Sequence, residues 1–288
     1  MRYRTLGRTQ LQVSEVGIGG AQFGLTNYMG HWDADSQEAE RATTATIHRA
    51  LELGYNYFDT APGYGNGRSE ELVGRALKGH RDKVVIATKV SGGQWTPEAI
   101  RQSALASLRR LQVDVIDVIQ FHGGWYHPQE VDVILRGGGL ETMQQLKAEG
   151  LVRFIGFTAE GPSCGVEQLI ATGAFDVMQV RYNLMFQHPS DFENNEGIIR
   201  QADAQGMGVV LMRTMTSGVF QRLMAHAFPQ IDPLEVGRLL LNYVLSDPYI
   251  DVALTGVRDP YLVEANNALS DDVAARLDLD ELHNRYVH

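Results

Sequence analysis

Asp59, Lys89 and His122 stand at or just past the ends of three successive short apolar runs, residues 55–60, 84–90 and 115–121. A lysine that ends an apolar strand is costly unless its charge is paired, and Asp59 on the neighbouring run is the obvious partner. Five residues beyond Asp59 comes Tyr64, within Asp59-Thr60-Ala61-Pro62-Gly63-Tyr64-Gly65. Pro62 and the two glycines favour a tight loop that folds the phenol back toward the carboxylate. An ammonium beside a phenol stabilises the phenolate, so Lys89 is expected to lower the pKa of Tyr64. A Tyr–Lys pair, with a histidine to orient a substrate oxygen, is a general acid suited to protonating a carbonyl as hydride arrives. No metal is required for this chemistry and none is expected: His122 lacks suitably spaced partner ligands, and His127 lies in the loop beyond. Taken singly, each residue has a structural explanation, the histidine as a satisfied core group and the aspartate as a helix cap. The chemistry needs them together.

What brings them together is the order of elements. Eight apolar runs recur, at residues 13–19, 55–60, 84–90, 115–121, 152–157, 177–182, 208–213 and 251–256. Their spacing suits repeated βα units. Helical periodicity fills the gaps: Ile47, Ala50, Leu51 and Leu53 favour one face of residues 42–53. Pro97 opens a helix over residues 98–111 with Thr96 as N-cap, and Gly54 and Gly79 stand where helix C-caps belong. Near-continuous apolar strands are covered on both faces. The pattern therefore predicts a (β/α)8 TIM barrel, one domain over residues 1–288, with its site at the C-terminal rim. The alternative is a doubly wound open sheet. Its dinucleotide turn would need a third glycine that Gly17-Ile18-Gly19-Gly20 lacks, and no acidic ribose ligand follows on schedule. In a barrel the long segments 21–35 and 123–135 lie on the same rim, so Phe23, Tyr28, Trp32, Trp125 and Tyr126 are expected to line a substrate pocket.

Composition narrows the function classes. A chain of 288 residues fits two domains or one large barrel. The balance of 44% hydrophobic and 21% charged residues is that of a globular protein. A formal charge of −10 argues against nucleic acid and anionic membrane as partners. No apolar run approaches the roughly 18 residues of a membrane span, and the opening Met-Arg-Tyr-Arg lacks a secretory apolar stretch. The single cysteine, Cys164, excludes an intrachain disulfide and suits a reducing compartment. A cytoplasmic protein, monomeric or weakly homo-oligomeric, is expected.

The stretch 59–65, followed by Arg68-Ser69-Glu70-Glu71-Leu72-Val73-Gly74-Arg75-Ala76-Leu77, resembles the signature of the aldo-keto reductases. Lys89 in Ala87-Thr88-Lys89-Val90 and His122 in Gln120-Phe121-His122 match that family's next landmarks. Residues 3–8 and 13–17 are similar to its N-terminal hairpin and first strand, 150–157 to its fifth strand and 179–183 to its sixth. The resemblance implies a hairpin-capped barrel that reduces an aldehyde or ketone with a nicotinamide cofactor, or runs the reverse reaction. It places the catalytic four on Asp59, Tyr64, Lys89 and His122, with Tyr64 as proton donor. The cofactor would lie across the rim, held by Thr158, Gln179, Met212, Arg213, Thr214, Ser217, Gly256, Arg258, Glu264 and Asn266. Arg258 meeting a ribose 2′-phosphate favours NADP(H), with NAD(H) as the alternative. The sequence departs from the family where Ala159 replaces an amide-bearing residue and Met212 an aromatic one, and the cofactor-covering loop after the seventh strand reads as short. A short tail after Ala274, ending Tyr286-Val287-His288, suits an open pocket for a sugar or other small polar carbonyl. Two other readings are a cofactor-bound regulatory barrel and a Schiff-base lyase using Lys89.

Overall fold

The structure is a computed structural model describing residues 1–284 other than Gln94, Glu193 and Asn195. The Tyr286–His288 end invoked for an open pocket lies outside the described residues. A hairpin of β1 (Tyr3–Thr5) and β2 (Gln12–Ser14) precedes the barrel. Among the described residues, eight parallel strands then follow in chain order: β3 (Val16–Gly19), β4 (Tyr57–Asp59), β5 (Val85–Val90), β6 (Ile116–Phe121), β7 (Val152–Ala159), β8 (Val177–Arg181), β9 (Gly208–Met212) and β10 (Val252–Thr255). β10 pairs with β3, at Ala253 with Val16 and Thr255 with Ile18, and so closes the barrel. The helices are α1 (Ala21–Gly24), α2 (Gln37–Glu52), α3 (Arg68–Ala76), α4 (Pro97–Leu111), α5 (Pro128–Leu135) and α6 (Gly139–Ala148), then α7 (Cys164–Ala171), α8 (Ile198–Ala204), α9 (Val219–Ala227), α10 (Pro233–Leu245), α11 (Pro260–Asp271) and α12 (Leu279–Asn284).

The barrel expectation holds, with two local differences. The apolar run 13–19 is two strands, not one. Val13 belongs to the hairpin and Val16 to the barrel, and the chain bends between them at Glu15. Ser14 and Glu15 interrupt the apolar run there, but both are buried and hydrogen-bonded, and the apolar residues resume at once on the far side. The cofactor-covering segment is also longer than read: between β9 and α10 it carries the nine-residue helix α9. The cap at Thr96 is as expected, its hydroxyl accepting from Ala99 N with Pro97 in the first turn.

Two apolar cores result from the period-2 alternation of strand side chains. Ile86, Ile119, Phe121, Ile155 and Met178 face outward and pack under the helices. Tyr57, Val85, Ala87, Val118, Val177, Val210 and Val252 fill the barrel interior, plugged from below by Leu6 and Val13 of the hairpin. The next inward positions toward the C-terminal ends are polar: Asp59, Lys89, Gln120, Thr158 and Gln179, all buried. The interior thus changes from hydrocarbon to a layer of hydrogen-bonding groups just beneath the rim.

At the opposite end a repeated device ties strand starts together. Asn56 Oδ1 accepts from Ser14 N (2.7 Å), Asp117 Oδ2 from Ile86 N (2.9 Å), Asp176 Oδ2 from Ile155 N (3.0 Å) and Asp251 Oδ2 from Val209 N (2.9 Å). Each acceptor sits at the start of every second barrel strand and satisfies an amide on the chain before it, where the ladder has no partner to offer.

Candidate active site

Lys89 is wholly buried, and its ammonium has three partners: Asp59 Oδ1 (2.7 Å), Asp59 Oδ2 (2.8 Å) and the carbonyl of Thr60 (2.8 Å). It also lies 5.1 Å from the centroid of the Tyr64 ring. The Tyr64 loop is held by close backbone approach. Gly65 has φ +68°, and a Cβ there would strike the carbonyl oxygen of Gly24 in α1. A Cβ on Gly24 would in turn strike the carbonyl of Tyr64, so neither position has room for a side chain. His122, one residue past β6, meets Tyr64 edge-on, with ring centroids 5.8 Å apart at 90°.

The electrostatics differ from the expectation at one point. The pKa of Tyr64 is raised, not lowered. Burial dominates, the Lys89 charge opposes it, and Asp59 pushes it up again. Lys89 is therefore only a partial correction, because its charge is already shared with Asp59. Burial works against the Lys89 charge, but Asp59 and then Tyr64 outweigh it and raise its pKa. Burial raises Asp59 above the usual carboxylate range, while Lys89 and a hydrogen bond from Gln179 pull the other way. His122 is pushed down to about 3, by burial first and the Lys89 charge second. At neutral pH the site presents a protonated phenol and a neutral imidazole.

Tyr64, His122 and Asp59 open onto one cavity of about 910 Å³, with Lys89 behind them. Thr158, Gln179, Met212, Arg213, Thr214, Ser217, Gly256 and Asn266 all line it. Thr158 is anchored by donating to Gly123 O (2.8 Å), and Thr214 by donating to Leu254 O (2.6 Å). Arg213, with φ +57°, pairs with Glu160 Oε1 at 2.8 Å while remaining at the cavity wall. Ala159 is buried in the outer core and Met212 stands at the wall.

Two expected cofactor residues are engaged elsewhere. Arg258 donates to Gln22 O (2.8 Å) and Tyr28 O (2.6 Å) and lies 4.3 Å from the Trp32 ring, so it braces segment 21–35 instead of facing the cavity. Glu264 is held by Arg49 at 2.8 Å, on the outer face where α11 meets α2. Of the aromatic residues, Tyr28 lines the cavity. Phe23 and Tyr126 do not. Phe23 is a core residue, and Tyr126 stacks on Trp95 at 5.6 Å with its hydroxyl on Phe121 O. Trp32 stacks on Arg258 and donates to Phe23 O (2.9 Å), while Trp125 packs against Gly161 outside the lining. Loop membership set the face of the barrel but not the direction of each ring.

Sequence reasoning missed Gln22, Leu25, Met29 and Met215 near the rim, and Asp232, Glu235 and Arg238 from the start of α10. Nothing in their local sequence marks them; tertiary packing of α10 against the segment after β9 brings them in. It also missed Gln120, whose signal was present: a polar residue two positions before His122 in an otherwise apolar strand.

A phenol, a buried ion pair and a neutral imidazole gathered at the C-terminal rim of a (β/α)8 barrel make a site suited to carbonyl oxidoreduction. The aldo/keto reductase family model matches residues 15–235, and the chain belongs to that family. It is 31% identical over 202 residues to an uncharacterised oxidoreductase, YqkF, of Bacillus subtilis, covering 67% of this chain and 60% of that one. It is 31% identical over 206 residues to the NADH-specific methylglyoxal reductase of Escherichia coli, covering 64% and 60%. The matches thus span about three fifths of the length of these relatives. The holo form of the aldo-keto reductase AKR11C1 from Bacillus halodurans superposes with a TM-score of 0.77 at 25% identity, over 99% of this chain and 95% of that one. An aldo-keto reductase from Klebsiella pneumoniae in complex with NADPH has the same fold, with a TM-score of 0.74 at 23% identity over 98% and 93%.

Proposed function

We propose that the chain interconverts an aldehyde or ketone and its alcohol, with Tyr64 as the general acid in reduction. The observation that carries this is the convergence of a protonated Tyr64, the Lys89–Asp59 pair and a neutral His122 on one cavity wall. A nicotinamide cofactor, NADP(H) or NAD(H), supplies the hydride when bound. The cavity fits such a group: it is about 910 Å³, mixed in character, and carries the Gln179 amide and the Met212 thioether in the same wall as Tyr64. Gln179, Thr158 and Met212 would hold the nicotinamide end; Ser217, Gly256 and Asn266 would hold the remainder.

The chain's own residues then have distinct tasks. His122, neutral, has one N–H to donate and fixes a carbonyl oxygen without adding charge. Tyr64 gives that oxygen its phenolic proton. The buried ammonium of Lys89 stabilises the phenolate left behind, and Asp59 keeps the ammonium charged and in place. Lys89 has three hydrogen-bond partners and does not reach the cavity wall, which counts against a Schiff-base role.

Engagement of Arg258 by two backbone carbonyls removes the argument that favoured NADP(H), so both cofactor forms stand. The name of the E. coli relative supports a small carbonyl substrate of the kind expected, a sugar or other polar aldehyde or ketone. The test is oxidation of NADPH and NADH on addition of a panel of aldoses, ketones, dicarbonyls and aromatic aldehydes. Tyr64→Phe should lower kcat/KM by about 10²–10⁴-fold with cofactor affinity kept. A Tyr64→Phe protein as fast as the parent would sink the assignment. Cofactor binding with no turnover across the panel would favour the regulatory reading.

A further inference from the structure

Gln120 is wholly buried in β6, inside the barrel, and its side chain has one hydrogen bond: Nε2 donates to Gln179 Oε1 at 2.9 Å. Its own Oε1 has no hydrogen-bond partner. Gln179 stands at the cavity wall with Asp59, and a carboxylate favours an N–H over a carbonyl oxygen facing it. With Gln179 Oε1 turned to Gln120, the Gln120 amide answers with its N–H, and its own Oε1 is left over. Reversing both amides would leave the Gln120 N–H unpaired in that place and turn Gln179 Oε1 toward the carboxylate. The fold also makes room for Gln120. Its neighbour on β7 is Gly156, where a Cβ would press on Gln120 Cγ at 3.3 Å. A leucine of similar size would remove that orphaned oxygen but would strip the buried Gln179 Oε1 of its donor, so the amide at this position is explained by what it does for Gln179.

We infer that Gln120 is a positioning residue: it locks the orientation of the Gln179 amide, so that Gln179 presents a fixed face to the cofactor cavity. The inference rests on the reductase reading above and extends it one layer inward. Gln120 touches neither cofactor nor substrate, and it is absent from the cavity wall. The groups around it are Gln179 on β8, Lys89 as its register partner on β5, Gly156 on β7 and, beyond Gln179, Asp59, with His122 two residues along its own strand.

The experiment compares Gln120→Leu, Gln120→Glu and Tyr64→Phe with the parent by thermal unfolding of the free protein, fluorescence-quench titration of NADPH and NADH, and kcat and KM. Gln120→Leu removes one unsatisfied acceptor and creates another at Gln179 Oε1, so it is expected to melt near the parent temperature while its cofactor Kd rises roughly three- to tenfold and kcat falls. Gln120→Glu donates to Gln179 as the acid but not as the carboxylate, so its Kd should match the parent at low pH and rise with pH where the parent's does not. Gln120→Leu with Kd and kcat within about twofold of the parent overturns the inference. If Gln120→Leu instead loses stability, the Glu variant decides: a pH-independent Kd ratio overturns the inference and a rising one upholds it. Tyr64→Phe separates the two layers, because a fast Tyr64→Phe protein sinks the reductase mechanism while leaving the binding measurements on Gln120 interpretable.

Discussion

At the scale of single residues, burial decides the chemistry more than charge does. Tyr64 stands beside an ammonium, yet its pKa moves up, because the low-dielectric surroundings that cost the phenolate are not offset by a lysine already committed to Asp59. The same surroundings keep His122 uncharged. A depressed histidine pKa means that the folded state refuses a proton the unfolded chain accepts. Its contribution to stability is whole above the unfolded pKa of about 6.5 and is lost as pH falls toward the folded value. Nitrogen-detected NMR should therefore show His122 as a neutral tautomer down to about pH 5, and the acid limb of kcat/KM should carry no imidazole ionisation. An imidazolium signal from His122 at pH 6 would contradict the role given to it.

At the scale of elements, the strand-start acceptors are the feature with the clearest consequence. Asn56, Asp117, Asp176 and Asp251 make one kind of bond at four places around the barrel, but in different electrostatic settings. Asp117 has Arg81 and Arg153, and Asp176 has Lys147 at 2.8 Å. Asp251 has no ion pair among the described residues, and burial pushes its pKa up to about 6. A raised carboxylate pKa makes the folded state bind more protons between about pH 4 and pH 6, so this group's contribution falls as pH rises through that window and stays low above it. Asn56 shows that an amide can fill such a position. Asp251→Asn should keep the bond to Val209, raise stability at pH 8 by roughly 1–3 kcal/mol, and flatten the stability profile between about pH 4 and pH 6. Denaturant melts of parent and variant at pH 4.5 and pH 8 test this; a variant less stable than the parent at pH 8 would refute it.

At the scale of the whole molecule, the barrel has a closed floor and an open mouth. Leu6, fully buried, plugs the floor from the hairpin, and the hairpin is fastened to the far end of the chain. The amino group of Met1 meets Asp271 at 2.5 Å, and Glu15 is shared by Arg4 (3.0 Å) and Arg276 (2.6 Å). Chain start and chain end thus stabilise each other around the closing pair β10–β3. Because the floor lies at the end of the barrel away from Tyr64, damage there should separate stability from chemistry. Leu6→Ala is expected to cost about 2–5 kcal/mol of folding free energy through the cavity it leaves, with kcat at ordinary temperature close to the parent's. A variant that lost kcat while keeping its stability would show that the floor and the site are coupled.

The amino-acid sequence by itself determined the barrel and singled out the four polar residues that the barrel brings together. Hydrophobic runs at βα spacing, each closed by a chemically specific residue, leave few architectures, and only a common rim makes Asp59, Tyr64, Lys89 and His122 a unit. Strand ends are local facts, and a barrel converts them into proximity. Directions were not legible in the same way. Whether Phe23 and Tyr126 face the cavity or the core, and whether Arg258 meets a ligand or two backbone carbonyls, depends on which neighbours arrive from residues far away in the chain. The cavity wall supplied by α10 and the sign of the Tyr64 shift belong with these. The shift is a balance between burial and a charge already shared, and burial exists only once the chain has closed on itself.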